Sequence, residues 1–262
     1  MDIQKAATAL MEAESEKQPI APFTSSTEEI SVDEAYQIQL HQIHHKVDKG
    51  AVIVGKKIGL TSKAMQDMLN VNEPDYGHLL NDMIYEDGET IELNQYIQPK
   101  IEFEIAFVLK KDLKGPGVTM NDVIEATDYI VPALEIIDSR IKDWQIKFED
   151  TVADNGSSAG AVIGKTTAKI EGLDLTKIGM NVYRNNEFLD SAVSAAVMGN
   201  PAQAVAWLAN ALGNYGISLY AGEVILAGAL SKAIVIEDGD TFTAEFEQLG
   251  SVSASFKRNH LK

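Results

Sequence analysis

From Gln98 to Leu109 the chain reads Gln-Pro-Lys-Ile-Glu-Phe-Glu-Ile-Ala-Phe-Val-Leu, an apolar strand-like run with two carboxylates set into it. No other stretch constrains the fold as much. Side chains two apart on a strand share a face, so Glu102 and Glu104 point the same way, roughly 7 Å apart along the strand, with Ala106 and Val108 beyond them. The opposite face carries Ile101, Phe103, Ile105 and Phe107. Two readings follow. In one, the aromatic and aliphatic face is buried and the acids stand in water, as strand carboxylates usually do. In the other, both faces are covered and the two like charges need a positive partner, which a divalent cation with oxygen ligands would supply. Tyr129 to Ile137, Tyr-Ile-Val-Pro-Ala-Leu-Glu-Ile-Ile, favours the second, being another apolar run interrupted by a single acid, Glu135. Three acids in two apolar strands suggest a metal cage.

Composition narrows the chemistry. The 262 residues suffice for one large domain, or a small one joined to a larger one, with a sizeable core. With 39 acidic against 22 basic residues the net charge is −17, which argues against a grip on nucleic-acid phosphates. There is no cysteine, so disulfides, thiolate metal sites and cysteine nucleophiles are excluded, and any metal takes oxygen or histidine ligands. The first residues lack a basic region followed by an apolar core, and no run approaches the ~20 apolar residues of a membrane span. The expectation is a cytoplasmic protein with no membrane or nucleic-acid partner.

Residues 2 to 16 show a helical pattern, followed by a Pro-containing linker, Gln18 to Pro22. Ser31 with Glu34 forms a capping box for a second helix, on which Tyr36, Leu40, Ile43 and Val47 recur at helical spacing. Of His41, His44 and His45 on that helix, His41 and His45 are one turn apart and could hold a metal, but no third ligand is evident and all three read as solvated. A strand from Ala51 to Ile58 follows, then Gly59-Leu60-Thr61 and a short helix capped by Ser62. Lys57 interrupts the apolar pattern. Either its stem runs along the core with the ammonium exposed, or a pocket holds it and desolvation lowers its pKa. Asn72 to Gly77 is a turn by composition, and Asp75 by itself reads as turn chemistry. Thr151 to Gly160, containing Asn155, Gly156 and Ser157, is a small polar loop that either presents amides and hydroxyls to an anion or is an Asx-type turn with nothing bound. Strand runs at Met180–Tyr183, Glu223–Leu226 and Thr241–Phe246 and a helix from Pro201 to Leu212 complete the pattern. This is a small helical part, residues 1–50, joined to a larger β-rich part, residues 51–262.

Taken in order, Lys57-Ile-Gly-Leu-Thr61, Glu73-Pro-Asp75-Tyr-Gly77, Pro99-Lys-Ile-Glu102-Phe-Glu104, Pro132-Ala-Leu-Glu135-Ile-Ile-Asp138-Ser-Arg140 and Val152-Ala-Asp-Asn155 resemble the 2-oxopent-4-enoate hydratases, in the hydratase and decarboxylase branch of the fumarylacetoacetate hydrolase superfamily. The likeness spans nearly the whole chain. It implies an α+β fold, a mixed β-roll with a small helical N-terminal part, and hydration of 2-hydroxypenta-2,4-dienoate to 4-hydroxy-2-oxopentanoate in the meta-cleavage catabolism of aromatic compounds. It implies Glu102, Glu104 and Glu135 as ligands of Mg2+ or Mn2+. Lys57 and Asp75 become the catalytic pair, Lys57 exchanging a proton at the substrate's C2 oxygen with a lowered pKa and Asp75 activating water. Leu60, Thr61, Asn155 and Ser157 become substrate-binding. A ring-like homo-oligomer, pentamer or decamer, and association with a pathway decarboxylase or aldolase belong to the same expectation.

The nearest alternative is the 4-oxalocrotonate decarboxylase of the same branch, where the position of Asp75 is usually apolar; Asp75 therefore favours a hydratase. Acylpyruvate hydrolysis uses a His-Glu pair on a lid helix, and His78, following Gly77, lies in a different motif. A silent partner subunit is disfavoured because all three glutamates, Lys57 and Asp75 are retained. Two positions depart from the family pattern: Ala227 replaces a Ser or Thr before Gly228, and Asn200 a His or Ser before Pro201. They leave the substrate's tail open, and Lys232 is either a partner for a distal carboxylate or a solvated loop lysine.

Overall fold

The computed structural model describes residues 1–27 and 29–259. Helix α1 (Ile3–Glu16) starts where the Asp2 side chain accepts from the Lys5 amide, and α2 (Val32–Asp48) has the full Ser31–Glu34 capping box. The chain continues through β1 (Ile53–Gly59), α3 (Lys63–Leu69), β2 (Asp75–Leu80), β3 (Ile84–Glu86), β4 (Thr90–Glu92), β5 (Lys100–Leu109), α4 (Met120–Ala126), β6 (Thr127–Ile137), α5 (Phe148–Ala153) and β7 (Ser158–Ile163). It ends with β8 (Gly179–Arg184), β9 (Glu187–Val193), α6 (Pro201–Gly213), β10 (Val224–Ala229), β11 (Ile234–Val235), β12 (Thr241–Phe246) and β13 (Gly250–Lys257). In α6, Asn200 caps the first turn and Pro201 occupies its start, where the missing N–H costs nothing.

The strands form two sheets. One runs β2-β1-β10-β5-β6-β7-β3 with β11 added beside β5, and the other runs β4-β13-β12-β8-β9. Strands β5 and β6 are central to the first and antiparallel, in register from Lys100 opposite Ile137 to Val108 opposite Tyr129. The odd-numbered face of β5 enters the main core against the second sheet, where Phe103 lies 6.2 Å from Phe242 and Phe242 lies 6.2 Å from Phe256, ring centre to ring centre. Beyond the acids the even-numbered face of β5 joins a second, smaller apolar cluster of Leu79, Ala106, Val131, Ala133, Ala161 and Leu226. Both faces are therefore covered, and Glu102 and Glu104 are buried. The fold is α+β, as expected.

The helices before residue 50 share the main core with the strands that follow. Gln39 donates to the carbonyls of Tyr76 and Val152 at 2.9 and 2.8 Å, Gln42 donates to that of Ala153 at 2.7 Å, and Tyr36 stacks on Tyr76. Residues 260–262, at the end of the expected β-rich part, lie outside the described residues. Three local expectations need correction. Asn72–Gly77 is a turn only at its beginning, since Asp75 opens a strand buried along its whole length. Thr151 belongs to helix α5, so the polar loop shrinks to Asn155–Ser157 before β7 begins. Strands β9 and β13 add to the runs read from the pattern.

Candidate active site

Glu102 and Glu135 face each other across β5 and β6, and Glu104 follows two residues on, one pleat along the same face. The pairing puts a carboxylate oxygen of each within 4.8 Å of the others. Among the described residues this is the only group of three or more acidic or histidine side chains close enough to share an ion. Oε2 of Glu104 accepts the Gly228 amide at 2.7 Å, while its Oε1 and both oxygens of Glu135 are buried without a hydrogen-bond partner. Buried polar atoms normally have partners, so these orphans mark a place for something positive.

Strand β1 brings in Lys57, whose Nζ donates to the Gly156 carbonyl at 2.9 Å and lies 3.6 Å from Glu135 Oε2. Asp75 lies opposite Gly59 on the neighbouring β2. A Cβ on Gly59 would stand 2.1 Å from Asp75 Oδ1, so the carboxylate occupies the room that this glycine leaves. Oδ2 of Asp75 accepts from the Thr151 hydroxyl at 3.3 Å, and Oδ1 is buried without a partner.

The turn that receives Lys57 is strained: Asn155, Gly156 and Ser157 all have left-handed φ, 56°, 60° and 56°. It is held from behind. The Arg140 guanidinium bonds Asp154 Oδ1 at 2.6 Å and the Asp154 carbonyl at 2.5 Å, and the Arg140 amide donates to Asp154 Oδ2 at 2.9 Å. Asn155 accepts the His78 amide at 2.8 Å and donates to its carbonyl at 3.0 Å, so its side chain is spent on β2 and does not line the cavity. Leu60, Thr61 and Ser157 do line it, with Lys57, Asp75 and Glu102, around a space of about 70 Å³.

Electrostatics at this site correct the expectation for Lys57. Burial pulls its pKa down, but Glu135, Asp75, Glu102 and Glu104 outweigh burial and the net shift is upward. Burial raises Glu102, with Lys57 opposing and Asp75 adding to the rise. Glu104 is pushed well up by burial and by the charges of Glu135 and Glu102. Burial takes Glu135 to about 7 against the pull of Lys57. All three acids resist ionisation together, the state that a cation would relieve. Their hard oxygen donors suit a divalent cation.

His78 takes no part. It points to the other face of β2, with Nδ1 3.1 Å from Gln39 Oε1, and burial lowers it to about 3. His41 and His45 lie on α2, lining a separate hollow beside α1. Thr151, Gly59 and the Gly228 amide complete the site without having been singled out for that role in the sequence, since each acts across the fold on a distant residue.

The model of the fumarylacetoacetate (FAA) hydrolase C-terminal family matches residues 43–257. The chain belongs to the fumarylacetoacetate hydrolase family. It is 48% identical over 249 residues to 2-hydroxyhexa-2,4-dienoate hydratase of Comamonas testosteroni, covering 94% of each chain. It is 44% identical over 258 residues to 2-keto-4-pentenoate hydratase of Paraburkholderia xenovorans, covering 98% of this chain and 96% of the relative. Among solved structures, 4-oxalocrotonate decarboxylase from Pseudomonas putida G7, complexed with magnesium and adipate, superposes with a TM-score of 0.94 at 37% identity, covering 97% of both chains. Within the family, then, the hydratases and this decarboxylase frame the functional question. No helix among the described residues is long and apolar enough to cross a membrane.

Proposed function

We propose that the protein hydrates 2-hydroxypenta-2,4-dienoate, the enol of 2-oxopent-4-enoate, to 4-hydroxy-2-oxopentanoate. One observation carries the reading: three glutamates close enough to share one ion, two of them with unpartnered oxygens, adjoin a small cavity that Glu102, a buried lysine and a buried aspartate with an unpartnered oxygen line. Glu102, Glu104 and Glu135 would hold Mg2+ or Mn2+, which when bound supplies a positive centre for the substrate's carboxylate and C2 oxygen.

The remaining chemistry belongs to the protein. Lys57, kept cationic by its carboxylate neighbours, donates to the C2 oxygen and stabilises the negative charge left there when the hydroxyl proton passes to water. As that proton leaves and C5 gains one, the dienol becomes 2-oxopent-3-enoate, conjugated and electrophilic at C4. A water oxygen bonds to C4, Asp75 takes the water's proton, and C3 is protonated. The sum is one water added, with no oxidant or reductant. Ser157 holds a substrate oxygen, Leu60 and Thr61 wall the cavity, and Asn155 acts from behind by fixing the turn to β2. Mg2+ or Mn2+ as the resident ion, a cytoplasmic setting and a homo-oligomer form part of the same proposal.

The solved neighbour supports a second reading, decarboxylation of 4-oxalocrotonate. Asp75 separates the two, because loss of CO2 requires no attacking water. An ultraviolet time course with Mg2+ is expected to show the dienol absorbance disappear with 4-hydroxy-2-oxopentanoate as product. Asp75→Asn is expected to slow water addition by about 10²- to 10⁴-fold, the usual contribution of a general base, while sparing ketonisation. Equal loss of both steps would remove the assigned role of Asp75, and CO2 release from 2-oxo-3-hexenedioate alone would establish the decarboxylase.

A further inference from the structure

Strand β2 ends the order of the first sheet, so one of its edges has no strand neighbour among the described residues. Backbone groups on a buried edge need partners, and here two side-chain amides supply them. Asn155 takes the amide and the carbonyl of His78. Gln39, reaching in from α2, donates through Nε2 to the Tyr76 carbonyl at 2.9 Å and to the Val152 carbonyl at 2.8 Å. Its Oε1 faces His78 Nδ1 at 3.1 Å, so the whole amide is engaged, and the side chain is fully buried. Tyr76 follows Asp75 in the chain, and Val152 follows Thr151. The Gln39 amide therefore spans β2 and α5 one residue beyond the Asp75–Thr151 hydrogen bond, and it fixes the separation of the two backbones that carry that bond.

The Asp75 carboxylate is set from two sides. Thr151, buried and lining the cavity, holds Oδ2 with its hydroxyl, the one hydrogen bond that the carboxylate makes among the described residues. On the other side a Cβ at Gly59 would collide with Oδ1 and stand 3.0 Å from Lys57 Nζ, so the bare glycine lets Oδ1 and the ammonium share the cavity. With Oδ2 tied back, the unpartnered Oδ1 is the oxygen left to meet water. We propose, resting on the hydratase reading, that Thr151 is a positioning residue for Asp75 and that Gln39 sets its reach. Gln39 lies before residue 43, where the family match begins, so the helical N-terminal part becomes a working part of the site.

Thr151→Val, which keeps the shape and removes the hydroxyl, is to be compared with Thr151→Ser, which keeps the hydroxyl, in the Mg2+-loaded protein. Product formed from 2-hydroxypenta-2,4-dienoate reports water addition, and deuterium uptake at C5 from D2O reports ketonisation. Thr151→Val is expected to lose about 10- to 100-fold in kcat for water addition, the scale of a slightly misplaced reacting group, with KM and ketonisation within about twofold of the parent. Thr151→Ser is expected to recover all but about threefold. Added to Asp75→Asn, Thr151→Val should cost less than about twofold more, because the group it positions has gone. Gln39→Met is expected to lose about tenfold in the same step alone; Gln39→Glu, of the same shape, takes its place if the methionine variant does not fold. Crystal structures of the two Thr151 variants give a readout free of turnover: the Asp75 carboxylate turns in Thr151→Val and keeps its place in Thr151→Ser. Undiminished hydration by Thr151→Val, equal loss of both steps, equal loss in the two variants, or an unmoved Asp75 in Thr151→Val would overturn the positioning role and leave the hydratase reading standing. A parent that hydrates no dienoate, with Asp75 turned in Thr151→Val, would sink the hydratase reading and keep the positioning role. A Gln39 variant that loses both steps alike would remove Gln39 from the proposal.

Discussion

Lys56 and Lys57 are neighbours on β1, both almost fully buried, and they point to opposite faces of the sheet. Lys56 meets one carboxylate, Glu223 at 2.6 Å, whose other oxygen accepts the Tyr220 amide at 3.0 Å. Lys57 meets four: Glu135, Asp75, Glu102 and Glu104. Burial dominates at Lys56 and the pKa falls, whereas at Lys57 the carboxylates overcome burial and it rises. One pair closes on itself, and the other cluster is left in excess of negative charge with unpartnered oxygens. Burial alone therefore does not assign chemistry to a lysine. The local sum of charge does, and a sum that fails to cancel marks where a ligand belongs.

The sharpest way to break this contrast is on the acidic side. Glu104→Gln is expected to cut turnover by on the order of 10³-fold or more, since it removes one of the three proposed metal ligands, and to abolish calorimetric Mg2+ binding. Its metal-free form is expected to melt no lower than the parent, because a like charge has gone. Full activity after exhaustive chelation would refute the cage. Next come the lysines as a matched pair. Lys57→Met is expected to lose about 10²- to 10⁴-fold in kcat, the range of a lost acid–base group. Lys56→Met should instead keep its kcat per folded molecule and lose about 3–5 kcal/mol in urea unfolding, because Glu223 is left buried and unpaired. If Lys56→Met proved the more damaging to kcat, the two faces would have been assigned the wrong way round.

The smallest effect is a pH dependence. Glu135 rises from an ordinary 4.5 to about 7 in the folded protein. Its contribution to stability is therefore complete below about 4.5 and lost as pH climbs through about 7. Glu102 and Glu104 shift in the same direction. A cation in the cage removes the penalty for ionising them. The gain in Tm on adding Mg2+ should accordingly be larger at pH 8 than at pH 6, by roughly a few degrees, in thermal scans with and without chelator. A gain independent of pH would separate metal binding from these carboxylates.

How far the site was legible depended on distance along the chain. The pairing of Glu102 with Glu104 follows from strand periodicity alone, and the α2 start from four residues, Ser31 to Glu34. Asp75 in isolation read as turn chemistry because Asn72, Glu73 and Pro74 precede it and Gly77 follows; its burial comes from α5 and the Asn155 turn, which pack against β2 from far along the chain. Asn155 read as a substrate contact, yet its amide partner is the backbone of His78, 77 residues away. The upward shift of Lys57 was equally hidden, since it sums charges from three other strands. Motif resemblance supplied what periodicity could not, namely which distant acids meet.

The alternation along β5 also polices assembly of the sheet. Its acids and phenylalanines occupy adjacent positions, and its pairing with β6 runs almost the full length of both strands. A slip of one residue would send Phe103 and Phe107 toward the cavity and drive Glu102 and Glu104 into the apolar sandwich. Every one-residue register error is therefore penalised on both faces of the strand. The buried carboxylates thus serve the newborn chain as an error-detecting code, disfavouring misaligned strands before any substrate arrives.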